Sequence, residues 1–109
     1  MINDSDGNLV TDTAERDGVA VVTVTGEIDS SNCATVQDLL ADLARPGREA
    51  VEVDLAGVSF VDSSGLRALI VGQRSLAEVG AAMTVVAASE AVRRLFEITG
   101  LVERLGLPG

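Results

Sequence analysis

The chain alternates between two hydrophobic periods. Residues 9–15 switch weakly between apolar and polar positions, the pattern of an edge strand. Asp17-Gly18 marks a tight turn. Residues 19–25 (Val-Ala-Val-Val-Thr-Val-Thr) are β-branched almost throughout, with no polar face beyond threonine, and read as a central strand. The hairpin so formed is expected to end at Gly26. The period then changes to 3.6: Cys33, Val36, Leu39, Leu40 and Leu43 make one stripe of a helix over residues 30–44, with Ser30 or Ser31 as its cap. Arg45-Pro46-Gly47 ends it, because proline cannot continue the ladder. Residues 50–55 are the next strand, with Val51, Val53 and Leu55 on one side and Glu52 and Asp54 on the other. A loop over residues 56–61 leads to Asp62-Ser63-Ser64-Gly65. A second helix follows over residues 66–79, with Leu66, Leu69, Ile70 and Leu76 inward and Gly80 as its stop. Residues 83–88 are a strand. Ser89 caps a short helix with Val92, Leu95 and Phe96 on its apolar face, Thr99-Gly100 ends it, and residues 101–105 add one more turn.

The order β-β-α-β-α-β-α predicts an α/β fold: a β-hairpin followed by right-handed βα units, giving a small, mostly parallel mixed sheet packed with helices. Short connections put sequential strands side by side. The 109 residues suffice for one domain, expected over residues 9–109, with residues 1–8 a polar, flexible N-terminus.

Composition narrows the chemistry. Apolar residues make up 47% of the chain, yet Phe60 and Phe96 are its only aromatics, so the core is built from Val, Leu, Ile and Ala. Seventeen acids face eight arginines and no lysine, a net charge of −9. That charge argues against nucleic acid and against anionic membranes as direct partners, and for proteins. The chain has no histidine, which excludes a Ser-His-Asp or Cys-His site and an imidazole-built zinc site. A single cysteine allows no internal disulfide and fits a reducing, cytoplasmic compartment. The acidic, polar start lacks the pattern of a signal peptide, and no apolar run approaches the roughly 18 residues of a membrane span. No cofactor is expected.

In an open parallel sheet, sites form beyond the carboxyl ends of the strands. Two polar segments lie there: Gly26-Glu27-Ile28-Asp29-Ser30-Ser31, and Phe60-Val61-Asp62-Ser63-Ser64-Gly65-Leu66. Neighbouring strands are about 4.8 Å apart, so the two segments should meet. Each introduces a helix and presents unpaired N–H groups and a positive dipole end. Taken singly, Asp-Ser-Ser before a helix is ordinary capping chemistry, with Ser63 as the cap.

Together, three segments resemble the STAS domain, specifically the bacterial anti-sigma factor antagonists. They are Thr25-Gly26-Glu27-Ile28-Asp29, then residues 51–55 followed by Phe60 through Leu66 as quoted above, and Ala91-Val92-Arg93-Arg94-Leu95-Phe96-Glu97-Ile98-Thr99-Gly100-Leu101. The resemblance implies a STAS-like fold and a binding protein that is not an enzyme. It implies as partner an anti-sigma factor that is also an ATP-dependent serine kinase; binding frees the sigma factor, and phosphorylation of the serine after Asp, here Ser63, releases the antagonist. A metal-dependent serine phosphatase resets it. Asp29 matches the family's upstream Asp beside the phospho-acceptor. The expected partner surface is Glu27, Asp29, Ser30, Asp62, Ser63, Ser64 and Gly65. Phosphorylation adds about −1.5 to −2 charges, tolerated by a helix N-terminus, and so should act on the interface rather than the fold.

Two weaker features have plainer readings. Asp4, Asp6, Asn8 and Glu15 fall at calcium-loop offsets 1, 3, 5 and 12, but Leu9 stands where the loop needs glycine. Cys33 falls on the apolar stripe, where a buried, inert thiol is the expectation and redox sensing the alternative. The competing reading of the whole chain is a STAS subunit that scaffolds a transport or signalling complex and is never phosphorylated. An enzyme in its own right is the third reading, and the absence of histidine and of a phosphate-cradling glycine loop argues against it.

Overall fold

The computed structural model describes residues 9–108. The flexible N-terminus expected over residues 1–8, and with it Asp4, Asp6 and Asn8, lies outside the described residues. Four strands and four helices follow in the order β1 (Val10–Arg16), β2 (Val19–Ile28), α1 (Cys33–Leu43), β3 (Ala50–Val61), α2 (Ser63–Glu78), β4 (Ala82–Ala88), α3 (Glu90–Thr99) and α4 (Val102–Leu105). The sheet order is β1-β2-β3-β4. β1 pairs antiparallel with β2, and β2–β3 and β3–β4 are parallel. The hairpin-then-βα topology is therefore as the sequence predicts, and sequential strands are neighbours throughout.

One face of the sheet carries the core. Ala20, Val22 and Val24 of β2, Val51, Val53 and Leu55 of β3, and Met83 and Val85 of β4 are buried. The alternate residues, Glu52 and Asp54 among them, are half-buried on the other face. Asp17 at φ +54° and Gly18 at φ +83° make the hairpin turn.

Two strands run further than their alternation suggests. β2 continues through Gly26 to Ile28, and the expected loop 56–61 is strand. The reason is bulging. Thr23 pairs with Asp54 and Thr25 with Gly57, then Gly26 with Val58 and Glu27 with Phe60, so β3 twice spends two residues against one. Its buried residues therefore fall every third position: Leu55, Val58, Val61. A Cβ on Gly57 would stand 2.6 Å from the Thr25 methyl, so the first bulge closes only over glycine.

Helix α2 is also turned from its expected setting. Its buried residues are Gly65, Ala68, Leu69, Gly72 and Leu76; Leu66 and Ile70, expected inward, are half-exposed. Small residues let the elements approach closely. A Cβ on Gly72 would meet Leu40 Cδ1 of α1 at 2.3 Å, so α1 lays Leu40 directly against the α2 backbone. On the outer side, Gln73 of α2 donates to the Met83 carbonyl of edge strand β4 and to the Arg104 carbonyl of α4, covering that edge.

At the opposite end of the sheet, Arg48 is buried. Its guanidinium donates to both Glu15 carboxylate oxygens at 3.0 and 3.2 Å, while Nε donates to the Leu43 carbonyl. Arg45 reaches the same carboxylate at 3.2 Å. The guanidinium pair holds Glu15 below the usual carboxylate range, with the Arg48 hydrogen bond as the leading cause. Glu15, the twelfth calcium-loop offset, is thus engaged with arginines inside β1.

Candidate functional site at the carboxyl edge of the sheet

Ile28 and Val61 are register partners at the ends of β2 and β3, and the Asp62 amide donates to the Ile28 carbonyl at 3.1 Å. This pairing brings the two polar segments together, as expected. Asp29 leaves the sheet beside Asp62, one strand spacing away.

Asp62, not Ser63, is the N-cap of α2. Its backbone is extended (φ −96°, ψ −173°) and its Oδ1 accepts from the Gly65 amide at 3.0 Å. The capping expectation for Ser63 is overturned because α2 starts at Ser63 rather than at residue 66, which leaves Asp62 as the extended residue whose carboxylate meets the amide three residues on. Ser63 is the first helical residue. It is exposed, and its hydroxyl makes no hydrogen bond among the described residues. Ser64 is half-buried behind it. Gly65 is buried and offers no side chain to a partner; a Cβ there would meet Val61 Cγ1 at 2.8 Å, Ile28 Cγ2 at 2.9 Å and the Ile28 carbonyl at 3.1 Å. Glycine at 65 is what lets the helix start directly over the two strand ends. The first turn of α2 contains no acidic residue, so the dipole end at Ser63 is neutralised only from the Asp62 side.

The Asp29 loop is a self-contained turn. Asp29 Oδ1 accepts from the Ser31 amide at 2.9 Å and the Ser31 hydroxyl at 2.6 Å. These bonds, the hydroxyl first, hold the Asp29 carboxyl below its ordinary range. The Asp29 amide donates to Asn32 Oδ1, and Asn32 Nδ2 donates to the Glu27 carbonyl, each at 2.9 Å. This turn consumes residues 29–32, so α1 starts at Cys33 rather than residue 30. Its N-cap is Asn32 without a side-chain cap bond, in place of Ser30 or Ser31. Ser30 and Ser31 are exposed at the tip. No hydrogen bond joins Asp29 to Ser63 among the described residues. Cys33 is half-buried, not fully inside the stripe, with Sγ 3.9 Å from the Ser30 carbonyl.

Glu27 is half-buried at the same edge, beside its register partner Phe60. Phe60 is 48% exposed, an aromatic ring in solvent next to the serine loop. Two contributors escaped the sequence reading. Asn32 is 3% exposed and locks the loop; an Asn three residues after an Asp, before a helix, was its only signal. Arg67, exposed one helical turn below Ser63, has no sequence signal beyond its spacing.

An antiparallel hairpin leads into parallel βα units, and an exposed serine opens the second helix. The chain belongs to the STAS domain family, whose model matches residues 11–107. It is 33% identical over 94 residues to an anti-sigma-B factor antagonist of Staphylococcus epidermidis, covering 86% of this chain and 87% of that one. An anti-sigma factor antagonist from Mycobacterium paratuberculosis superposes with a TM-score of 0.80 at 31% identity, over 94% of this chain and 86% of that one. The unphosphorylated form of the anti-sigma factor antagonist SpoIIAA superposes with a TM-score of 0.77 at 19% identity, over 92% and 89% of the two chains. Among the described residues no helix is long and apolar enough to cross a membrane.

Proposed function

We propose that this chain is an anti-sigma factor antagonist: it binds an anti-sigma factor, frees a sigma factor in the cytoplasm, and is switched off by phosphorylation of Ser63. The observation that carries the reading is the state of Ser63. Its hydroxyl is exposed, opens a helix of 16 residues, and is released from capping by Asp62. Relatives named as anti-sigma factor antagonists support the same reading. The partner surface is the edge formed by Glu27, Asp29, Ser30, Asp62, Ser63 and Ser64, with Phe60 as an apolar anchor. The anti-sigma factor supplies base, magnesium and ATP as a serine kinase; this chain contributes only a hydroxyl. A serine phosphatase resets it.

Charge explains the release. A phosphate carries about −1.5 to −2 charges and would join Glu27, Asp29 and Asp62 on one edge. A loss of roughly 3 kcal/mol at the interface lowers affinity more than about 100-fold. The test combines phosphosite mapping after incubation with the cognate anti-sigma factor and ATP with calorimetric binding of three proteins. We expect phosphate on Ser63, tight binding by wild type and Ser63→Ala, and weak binding by Ser63→Glu. Equal affinities for all three, with no phosphate on Ser63, would instead support an unmodified scaffolding subunit.

A further inference from the structure

The rotation of α2 toward its small residues leaves its large ones outside. Leu66, Ile70 and Val71 are half-exposed, and with Leu101 they form the floor of a groove of about 320 Å³. Leu101 is brought there by Gly100, whose left-handed backbone (φ +75°) ends α3 and lets the Leu101 amide donate back to the Phe96 carbonyl. Ser63 stands at one end of the groove. Arg67 and Arg74 line it, both exposed, and neither makes an ion pair among the described residues. No acidic residue lines it, although the chain carries a net charge of −9. An apolar floor between two unpaired cations is thus the exception on an acidic protein.

The dimensions select the occupant. Ser63 to Arg74 spans roughly 16 Å of helix axis, about three turns, and Arg67 and Arg74 lie about 10 Å apart, two turns. A second helix laid along α2 would meet them with carboxylates seven residues apart and fill the floor with apolar side chains at i, i+3 and i+4. A second copy of this chain could offer only the exposed face of α3, where Glu90 and Glu97 flank Ala91 and Ile98, but Arg94 stands between those two carboxylates and would face the groove's own arginines.

We infer that the α2 groove docks an acidic amphipathic helix of the partner protein, Arg67 and Arg74 pairing with its carboxylates. The inference rests on the phosphorylation reading in one step: a phosphate on Ser63 sits at the mouth of this groove, one turn from Arg67, repels the acidic helix and competes for that guanidinium. Negative charge on Ser63 therefore ejects an acidic ligand directly, without a change of fold.

The experiment titrates ¹⁵N-labelled protein with an amidated peptide of about 14 residues, leucines at i, i+3, i+4 and i+7 and glutamates seven apart, beside its lysine-for-glutamate counterpart. We expect amide shifts at Leu66, Ile70 and Leu101 with the glutamate peptide only. Affinity should fall at least about tenfold in Ser63→Glu and in the double variant Arg67→Glu, Arg74→Glu, and should weaken with added salt. Thermal melts check that the variants fold; both arginines are exposed, and Arg67→Gln, Arg74→Gln repeats the test if charge reversal unfolds the chain. Equal binding of the lysine peptide, unchanged affinity in the arginine variants, or no shift in the groove at about 1 mM peptide would overturn the inference. So would wild-type affinity in Ser63→Glu. No kinase enters the titration, so its failure is distinct from a failure to find phosphate on Ser63.

Discussion

Asp62 and Ser63 are adjacent and do different work. Asp62 closes the first turn of α2 through the Gly65 amide, while the Ser63 hydroxyl bonds to nothing among the described residues. Asp62→Ala should therefore cost about 1 kcal/mol, a drop of roughly 4–8 °C in melting temperature, whereas Ser63→Ala should melt with wild type. Calorimetric melts of the two variants decide this, and a larger loss in Ser63→Ala would restore Ser63 as the cap. Asn32 is the residue on which the Asp29 loop depends. Asn32→Ala removes one acceptor and one donor from a nearly buried position, and should cost roughly 1–3 kcal/mol. Its spectral signature should be loss of the Asp29 and Ser31 amide shifts, read by nuclear magnetic resonance. Neither assignment was legible from residue type: Asp, Ser and Asn all cap helices, and only the backbone path chooses among them.

The carboxyl ends of α1 and α2 and the bounds of β4 were legible within a residue or so, because clear stops mark them; the starts of both helices were three residues out, where capping turns rather than hydrophobic period set the boundary. β3 was not legible beyond Leu55. Its two bulges put Leu55, Val58 and Val61 three apart, a spacing that belongs to neither a flat strand nor a helix. The setting of α2 was hidden for a related reason. Hydrophobicity favours burying Leu66 and Ile70, but the approach of α1 buries Gly72 and Ala68 instead. Gly72→Ala should therefore push Leu40 away and destabilise by roughly 1–3 kcal/mol. Leu40→Val, made in the same chain, should recover part of that loss. A double-mutant cycle in urea measures the coupling, and strict additivity would mean that Leu40 is not what the new methyl meets.

For the molecule as a whole, the candidate site and the ionic bracing lie at opposite ends of the sheet. Glu15, Arg48 and Arg45 tie β1 to the turn after α1, far from Ser63 along the strands. The Glu15 carboxyl is depressed below its ordinary value of 4.5. A depressed acid stabilises the fold fully above its unfolded value and loses that contribution as pH falls through the folded one. The melting advantage of wild type over Glu15→Gln should thus be constant at neutral pH and vanish below the usual carboxylate range, in melts recorded against pH. Arg48→Ala should cost more than Arg45→Ala, because only Arg48 is buried. The domain class, the strand order and the meeting of the two polar segments at one edge of the sheet were readable from the sequence. The groove along α2 was not, since it exists only because two helices meet through glycine.

The division of labour between Asp62 and Ser63 bears on how long the protein lasts. Proteases in a cell sample the unfolded fraction, so a domain's lifetime follows its folding equilibrium. Under the proposed switch, the group that changes state is not one that holds the helix, and its added charge faces a favourable dipole end. Modified and unmodified pools should then turn over at the same rate. The signal would be carried by their ratio alone, and each dephosphorylation would return a protein as durable as the one first made.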